Sequence, residues 1–293
     1  WTAEHIMRNP VYLGLRIDKS AKEVTEKKYG HMKTEKIKTA KTKNASKTAP
    51  DIDESDLDLK IGKVTLKLTN QQKIYWPEEQ ISKGDLVDYY SEIAPVILPY
   101  LKDRPESMHR FPDGIKTAGF YQKDVDTKTI PAWLHTEKVY SESNKKNLDY
   151  LICNDKATLI YMANLGCIEI NPWNSRLNHI QNPDWLVIDL DPEQIDFTAV
   201  VKTALATRKV FEQLEIESFC KTSGATGLHI FVPLAAKYEY EVVRNFGHLV
   251  AQRVNELLPD ITSIERMPQK RRKKVYLDFL QNSRGQTLAS PYS

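Results

Sequence analysis

Three aspartates hold the residue types and spacing in this sequence most suited to chemistry. In DWLVIDLD (residues 184–191), Leu186, Ile188 and Leu190 alternate with Asp189 and Asp191. Successive side chains of an extended chain leave opposite faces, so the two carboxylates share one face, roughly 7 Å apart along the strand. Such a pair repels unless a cation sits between its members. Oxygen-only donors suit Mg²⁺ or Mn²⁺. In KKVYLDFL (residues 273–280), Val275, Leu277 and Phe279 point one way and Tyr276 and Asp278 the other. Where the two strands meet in one sheet, Asp278 joins Asp189 and Asp191. Three acids so placed can hold two divalent ions, the arrangement for in-line phosphoryl or nucleotidyl transfer. Each acid alone reads as a solvated strand position; their convergence is what points to a site.

The turn SGATGLH (residues 223–229) adds a candidate anion site. Gly224 and Gly227 permit positive φ and close approach to the backbone, and successive amides of such a turn can form an anion nest. Ser223 offers a hydroxyl, and His229 points away from Leu228 and Ile230, free to donate to a phosphate. An ordinary hairpin turn is the plain alternative. The run RMPQKRRKK (residues 266–274) has six Lys or Arg in nine positions, directly before the Asp278 strand. It can contact a phosphate backbone or simply be a solvated loop. Phe120 and Tyr121 are an adjacent aromatic pair that can be core or can stack an unpaired base.

The elements that must position these groups read in the order β-α-β-β-α-β. DWLVIDLD is a strand, residues 197–214 an amphipathic helix, ESFCKT and LHIFVPL two strands around the glycine turn, residues 240–258 a second helix, and KKVYLDFL the last strand. That is the ferredoxin-like plan, with helices on one face of an antiparallel or mixed sheet. The expected class is therefore α+β. Upstream, KVTLKLT alternates like a strand, and Ser82 opens a helix as SKGD, a capping-box-like start. Leu86, Tyr89, Tyr90 and Ile93 are that helix's expected apolar face. Short strand-like runs fill residues 107–170, with a polar hairpin tip at residues 141–147.

Composition bounds the rest. No stretch reaches the ~18 apolar residues of a membrane span, and the start WTAEHIMRNP lacks the plan of a secretory leader. Three cysteines, none in a CxxC spacing, argue against a disulfide framework or zinc site and for a reducing cytosol. Residues 1–50 hold 12 Lys and Arg against 5 Asp and Glu, a net +7, so that the remaining chain is −4. Residues 19–58 read as a basic, low-complexity linker. VYLGLRIDK before it alternates like the last strand of a preceding domain, and the folded body is expected from residue 59 to 293.

The DxD strand, SGxxGxH and the Asp of YLDFLQN together resemble the archaeo-eukaryotic primase superfamily, and more closely the polymerase domain of bacterial DNA ligase D. TNQQKIYWPEEQISKGDL, RFPDGI, GFYQK, EINPWNSR and RGQTLASPYS agree, over roughly residues 60–293. The resemblance implies a primase-polymerase fold with a ferredoxin-like (RRM-like) catalytic core and an N-terminal α/β extension. RNPVYLGLRIDK resembles the tail of that family's ligase domain, so residues 1–18 are expected to be its remnant. Carried over position by position, Asp189, Asp191 and Asp278 bind two ions, Mn²⁺ preferred over Mg²⁺. Ser223, Gly224, Gly227 and His229 hold the nucleotide triphosphate, Phe120 and Tyr121 support template bases, and Asn70, Lys73 and Lys83 grip a DNA 5′-phosphate. The implied activity is gap filling and end extension with ribo- or deoxyribonucleotides in non-homologous end joining. The implied partners are gapped or template-primer DNA, a Ku-type end-binding protein and a ligase domain of the same chain, in the bacterial cytoplasm. The sequence departs from the family pattern at Asn171, His109 and Gln281, positions that bear on nucleotide affinity and rate and leave the metal acids intact. A non-catalytic end-binding module would not need three acids on one site, and a phosphodiesterase would not need the triphosphate turn.

Overall fold

A computed structural model describes residues 56–293. The strand expected within VYLGLRIDK and almost all of the 19–58 span lie outside the described residues. The chain runs β1 (Leu57–Ile61), β2 (Val64–Leu68), β3 (Ile74–Trp76), β4 (Ile81–Ser82), α1 (Lys83–Leu101), β5 (Glu106–Arg110), β6 (Phe120–Gln122), β7 (Thr136–Ser141), β8 (Lys146–Leu151), α2 (Lys156–Asn164) and β9 (Cys167–Pro172). It continues through β10 (Trp185–Glu193), α3 (Phe197–Gln213), β11 (Phe219–Thr222), β12 (Leu228–Pro233), α4 (Tyr240–Leu257), β13 (Thr262–Ser263) and β14 (Lys274–Asp278). The mixed α+β class matches the expectation.

The C-terminal half is the five-stranded sheet β11-β12-β10-β14-β13. Its first four strands have the ferredoxin-like order, and their pairings are all antiparallel. Period-2 alternation explains how it packs. Leu186, Ile188 and Leu190 of β10, Leu228, Ile230 and Val232 of β12, and Val275 and Leu277 of β14 point into one core with α3 and α4. Asp189, Asp191, His229 and Asp278 therefore leave by the other face. Helix α3 starts at the N-cap Asp196, whose side chain accepts from the Thr198 amide. Such a cap satisfies one of the orphan amides at a helix start.

The N-terminal half has its own core, built on α1, α2, β2 and the sheet β6-β5-β9. Helix α1 opens with a complete capping box: Ser82 accepts from the Asp85 amide and the Asp85 side chain accepts from the Ser82 amide. Its buried face is Leu86, Val87, Tyr90, Ala94, Ile97 and Leu101. Tyr89, expected on that face, is instead exposed and donates its hydroxyl to the Tyr292 carbonyl at 2.8 Å. The expected polar hairpin is β7–β8, with exposed residues Glu142–Lys146 at its tip. Among the described residues no helix is long and apolar enough to cross a membrane.

Candidate active site

The antiparallel register of β10 and β14 sets Asp189 directly opposite Asp278 and Asp191 opposite Tyr276. Register on the other side of β10 sets His229 opposite Asp189, and Lys221 of β11 opposite His229. One open sheet face thus gathers the three acids, an imidazole and an ammonium group. Asp278 is the best supported acid. Its Oδ1 accepts from the Leu280 amide at 2.8 Å and the Tyr276 hydroxyl at 3.4 Å, and its Oδ2 accepts from Gln281 Nε2 at 3.3 Å. Asp189 is buried, and its Oδ1 has no hydrogen-bond partner among the described residues.

Electrostatics follow from that crowding. Burial, then Asp191 and Asp278, push the Asp189 carboxyl up to about 8, against the opposing pull of Lys221. Burial and Asp278 raise Asp191, and burial raises Asp278. Burial, aided by Lys221, drives His229 down to about 3. Both shifts favour neutral partners, so the 3.4 Å contact of His229 Nε2 with Asp189 Oδ1 is a contact of neutral groups at pH 7 without metal. No group of three or more His, Cys, Asp or Glu among the described residues closes into a metal cage as the side chains stand. The donor set nevertheless fits a divalent cation. Three mutually repelling carboxylates, one with an orphaned buried oxygen, gain from a charge between them.

The glycine turn divides its labour. Gly224 has φ +97°, a region that favours glycine. Gly227 has no such φ; it allows close approach, because a Cβ there would collide with the Leu190 carbonyl oxygen next to Asp189 and Asp191. Gly227→Ala is expected to push β12 off β10, costing ~1–3 kcal/mol and most of the activity. A thermal melt indistinguishable from wild type would show that the strands tolerate the methyl group. Ser223 Oγ accepts from the amides of Ala225 at 3.2 Å and Gly227 at 3.0 Å. Those two amides are turned inward, which reduces the expected nest of free N–H groups, while the Ser223 hydroxyl hydrogen stays available to a ligand.

The structure adds groups that sequence reasoning had left undifferentiated. A cleft of about 250 Å³ is lined by Asp191, Arg266, Arg271, Tyr276, Asp278 and Gln281 among others. Arg271 lies over the Tyr276 ring, 3.8 Å from its centroid. Two members of the basic run are thus fixed beside the acids. Lys221 was missed altogether; its signal was alternation in FCKT, which places Phe219 and Lys221 on the open face.

The aromatic pair lies apart, on β6. Phe120 and Tyr121 are both exposed, not split between core and surface. Tyr121 stacks on His109 at 4.1 Å and 12°, and the Arg110 guanidinium lies over Phe120 at 5.2 Å. Exposed rings held by cationic or imidazole neighbours are suited to base stacking. Asn171 is buried, its amide near the Glu169 carbonyl at 3.4 Å.

Asn70, Lys73 and Lys83 also come together. Asn70, at φ 54°, opens a turn in which the Lys73 amide donates to the Asn70 carbonyl at 3.0 Å, and the Lys83 amide donates to the Lys73 carbonyl at 2.8 Å. Lys73 pairs with Asp113. Lys83, in the first turn of α1, is turned inward rather than toward a ligand. It is 4% exposed and donates to Thr69 O at 2.6 Å and Thr69 Oγ1 at 3.2 Å. Burial, then Lys73, lowers it to about 8. The first amides of α1 are likewise spent, with Gly84 donating to Gln71 O at 2.9 Å. An anion here would meet side chains rather than a free helix terminus.

A ferredoxin-like sheet with three acids on one face, beside an α/β layer with exposed aromatics, is the arrangement expected of the primase-polymerase class. The model of the LigD primase-polymerase domain matches residues 82–293. The chain belongs to that family. It is 29% identical over 290 residues to the multifunctional non-homologous end joining protein LigD of Pseudomonas aeruginosa, covering 98% of this chain and 32% of that protein. It is 30% identical over 231 residues to the bifunctional LigD of Bacillus subtilis, covering 78% of this chain and 36% of that protein. The chain thus spans about a third of the length of these relatives. The polymerase domain of Mycobacterium tuberculosis ligase D, solved in complex with DNA, superposes with a TM-score of 0.72 at 27% identity, over 78% of this chain and 82% of that one.

Proposed function

We propose that this domain is a DNA-directed nucleotidyl transferase that fills gaps and extends broken ends with ribo- or deoxyribonucleotides during non-homologous end joining. The observation that carries this reading is the register placing Asp189 opposite Asp278, with Asp191 two residues along the same face. Asp189, Asp191 and Asp278 would hold two ions, Mn²⁺ or Mg²⁺. Bound there, such ions supply charge neutralisation at the phosphates and a more acidic primer hydroxyl. The chain's own groups do the rest. The Ser223 hydroxyl and neutral His229 orient phosphate oxygens, and Arg266 and Arg271 balance phosphate charge at the cleft. Phe120 and Tyr121 give a template base a surface to stack on. A ligase domain of the same parent chain and a Ku-type protein are the proposed partners at the break.

The test is extension of a primer on gapped, 5′-phosphorylated duplex with Mn²⁺ or Mg²⁺ and with each nucleotide type. No incorporation under any of these conditions would refute the reading. Ser223→Ala and His229→Ala are expected to raise the nucleotide concentration for half-maximal extension roughly 10-fold each, the effect of ~1.4 kcal/mol, with DNA affinity unchanged. A nucleotide titration that superposes on wild type would reduce the turn to a plain hairpin. At the far side of the gap, Lys73→Ala combined with Lys83→Ala should abolish the preference for a 5′-phosphorylated over an unphosphorylated gap. That preference should be strongest at low salt. Were the double variant to keep it, the phosphate would be read elsewhere, with the 266–274 run the next place to look.

A further inference from the structure

Beyond the carboxylates, a second cleft of about 370 Å³ opens between the sheet face and the segment Leu288–Pro291. Its volume is within the ~300–1,000 Å³ of small-molecule sites. We propose that this cleft is a separate recognition site for a nucleobase and its 5′-phosphate, the base held by the aromatic walls and the phosphate by buried cations. The walls come from both halves of the fold: Trp185, Phe219 and Phe231 from the sheet, Trp173 and Tyr100 from the other layer. Trp185 and Phe231 meet edge to face, with centroids 6.1 Å apart at 86°, and Phe219 is 44% exposed. Flat aromatic walls accept any base, since every base has a π face.

The polar groups select an anion. The lining holds two cations, Lys221 and Arg104, and no Asp or Glu. Lys221 is 7% exposed, and among the described residues its ammonium donates only to the Thr222 carbonyl, at 2.9 Å, leaving two donors free. Arg104 Nε is buried without a hydrogen-bond partner among the described residues. Arg104 otherwise donates to Trp173 O at 3.0 Å and pairs with Asp184. A buried guanidinium N–H left unmet beside a half-satisfied buried ammonium is uncommon and calls for an acceptor. Asp189 and Glu169 also act on Lys221, from the side of the catalytic face. Lys221 therefore stands at the junction of the two sites, and the cleft itself lies beside the acids rather than over them. The ligand can be a free mononucleotide or the terminal nucleotide of a strand; the chemistry recognised is the same.

The probe is AMP, added to the chain in EDTA, with tryptophan fluorescence as the readout. EDTA keeps the carboxylate centre unloaded, so the result does not depend on polymerase activity. Wild type should show saturable quenching, with adenosine bound roughly 10-fold more weakly. Phe219→Ala, at an exposed position that tolerates truncation, should weaken AMP by roughly 10-fold, the loss of one stacking surface. Lys221→Met should erase the advantage of AMP over adenosine. Asp191→Asn and Ser223→Ala should leave binding unchanged. A parallel titration with a 5′-phosphorylated one-nucleotide overhang tells the sources apart, and saturation by either probe supports the site. Absence of saturation by both would overturn it. So would quenching insensitive to Phe219→Ala and Lys221→Met, or lost in Ser223→Ala, which would put the probe in the triphosphate turn.

Discussion

Replacing Asp189, Asp191 or Asp278 by Ala is expected to cut primer extension by ~10³-fold or more, with binding of gapped DNA retained within a few-fold. The size follows from what is removed. A carboxylate that holds a divalent ion supports several kcal/mol of transition-state charge stabilisation, and each ~1.4 kcal/mol is tenfold in rate. DNA affinity is set by contacts to many phosphates from Lys and Arg, and none of the three acids contributes to that. Where the carboxylate is ionised, removing it is a net loss of negative charge and should, if anything, tighten binding slightly at low salt. The three variants are also expected to resemble one another, because the acids act as a unit and their effects are not additive. Single-turnover extension and equilibrium binding, measured on the same substrate, separate the two quantities. A variant within tenfold of wild type would remove that residue from the metal site. Loss of DNA binding in step with activity would mean that the acids support structure rather than chemistry.

How far the site was legible depended on the range of the interactions that build it. Which face each acid takes was readable, because alternation with Leu186, Ile188 and Leu190, and with Val275 and Leu277, is local and strict. The β-α-β-β-α-β order was readable for the same reason. The register was not: a shift of two residues keeps every side chain on its face yet moves Asp278 away from Asp189. Only the packed sheet fixes which pairing is made. The N-terminal half was harder still. Strand β5 pairs with β9 some sixty residues away, Met108 opposite Ile170, and both strands are short. Tyr89 and Lys83 show the limit clearly. Helical periodicity put Tyr89 inside, but a carbonyl 203 residues along holds its hydroxyl at the surface. The resemblance implies that Lys83 contacts a phosphate, but Thr69 draws its ammonium under the preceding turn. Lys221 carried a readable alternation signal, but a lysine at a strand end ordinarily reads as surface, and its burial comes from the facing layer.

The crowding of acids also predicts a stability cost that metal removes. In the unfolded chain the Asp189 carboxyl titrates near the ordinary value of ~3.9; folded, burial and its two acidic neighbours move it to about 8. Between those values the folded state holds a proton that the unfolded state has lost, so stability falls as pH rises through the window. The cost is absent below about pH 4 and complete above about pH 8, on the order of a few kcal/mol. His229, driven down to about 3, acts in the opposite sense from about pH 3 to its ordinary range near 6.5. Comparing wild type with Asp189→Asn cancels that contribution, since both retain the imidazole. In EDTA the variant is expected to match wild type near pH 4.5 and to melt several degrees higher at pH 8.5. Saturating Mn²⁺ should close the gap by stabilising wild type alone, ~2.7 kcal/mol at a hundredfold excess over Kd. The Asn side chain cannot supply the missing charge. Melting curves at the two pH values, with and without Mn²⁺, decide the matter. Parallel pH profiles for the two proteins in EDTA would mean that Asp189 is ionised at no cost in the folded chain. The acids would then lack the mutual strain that makes a cation fit there.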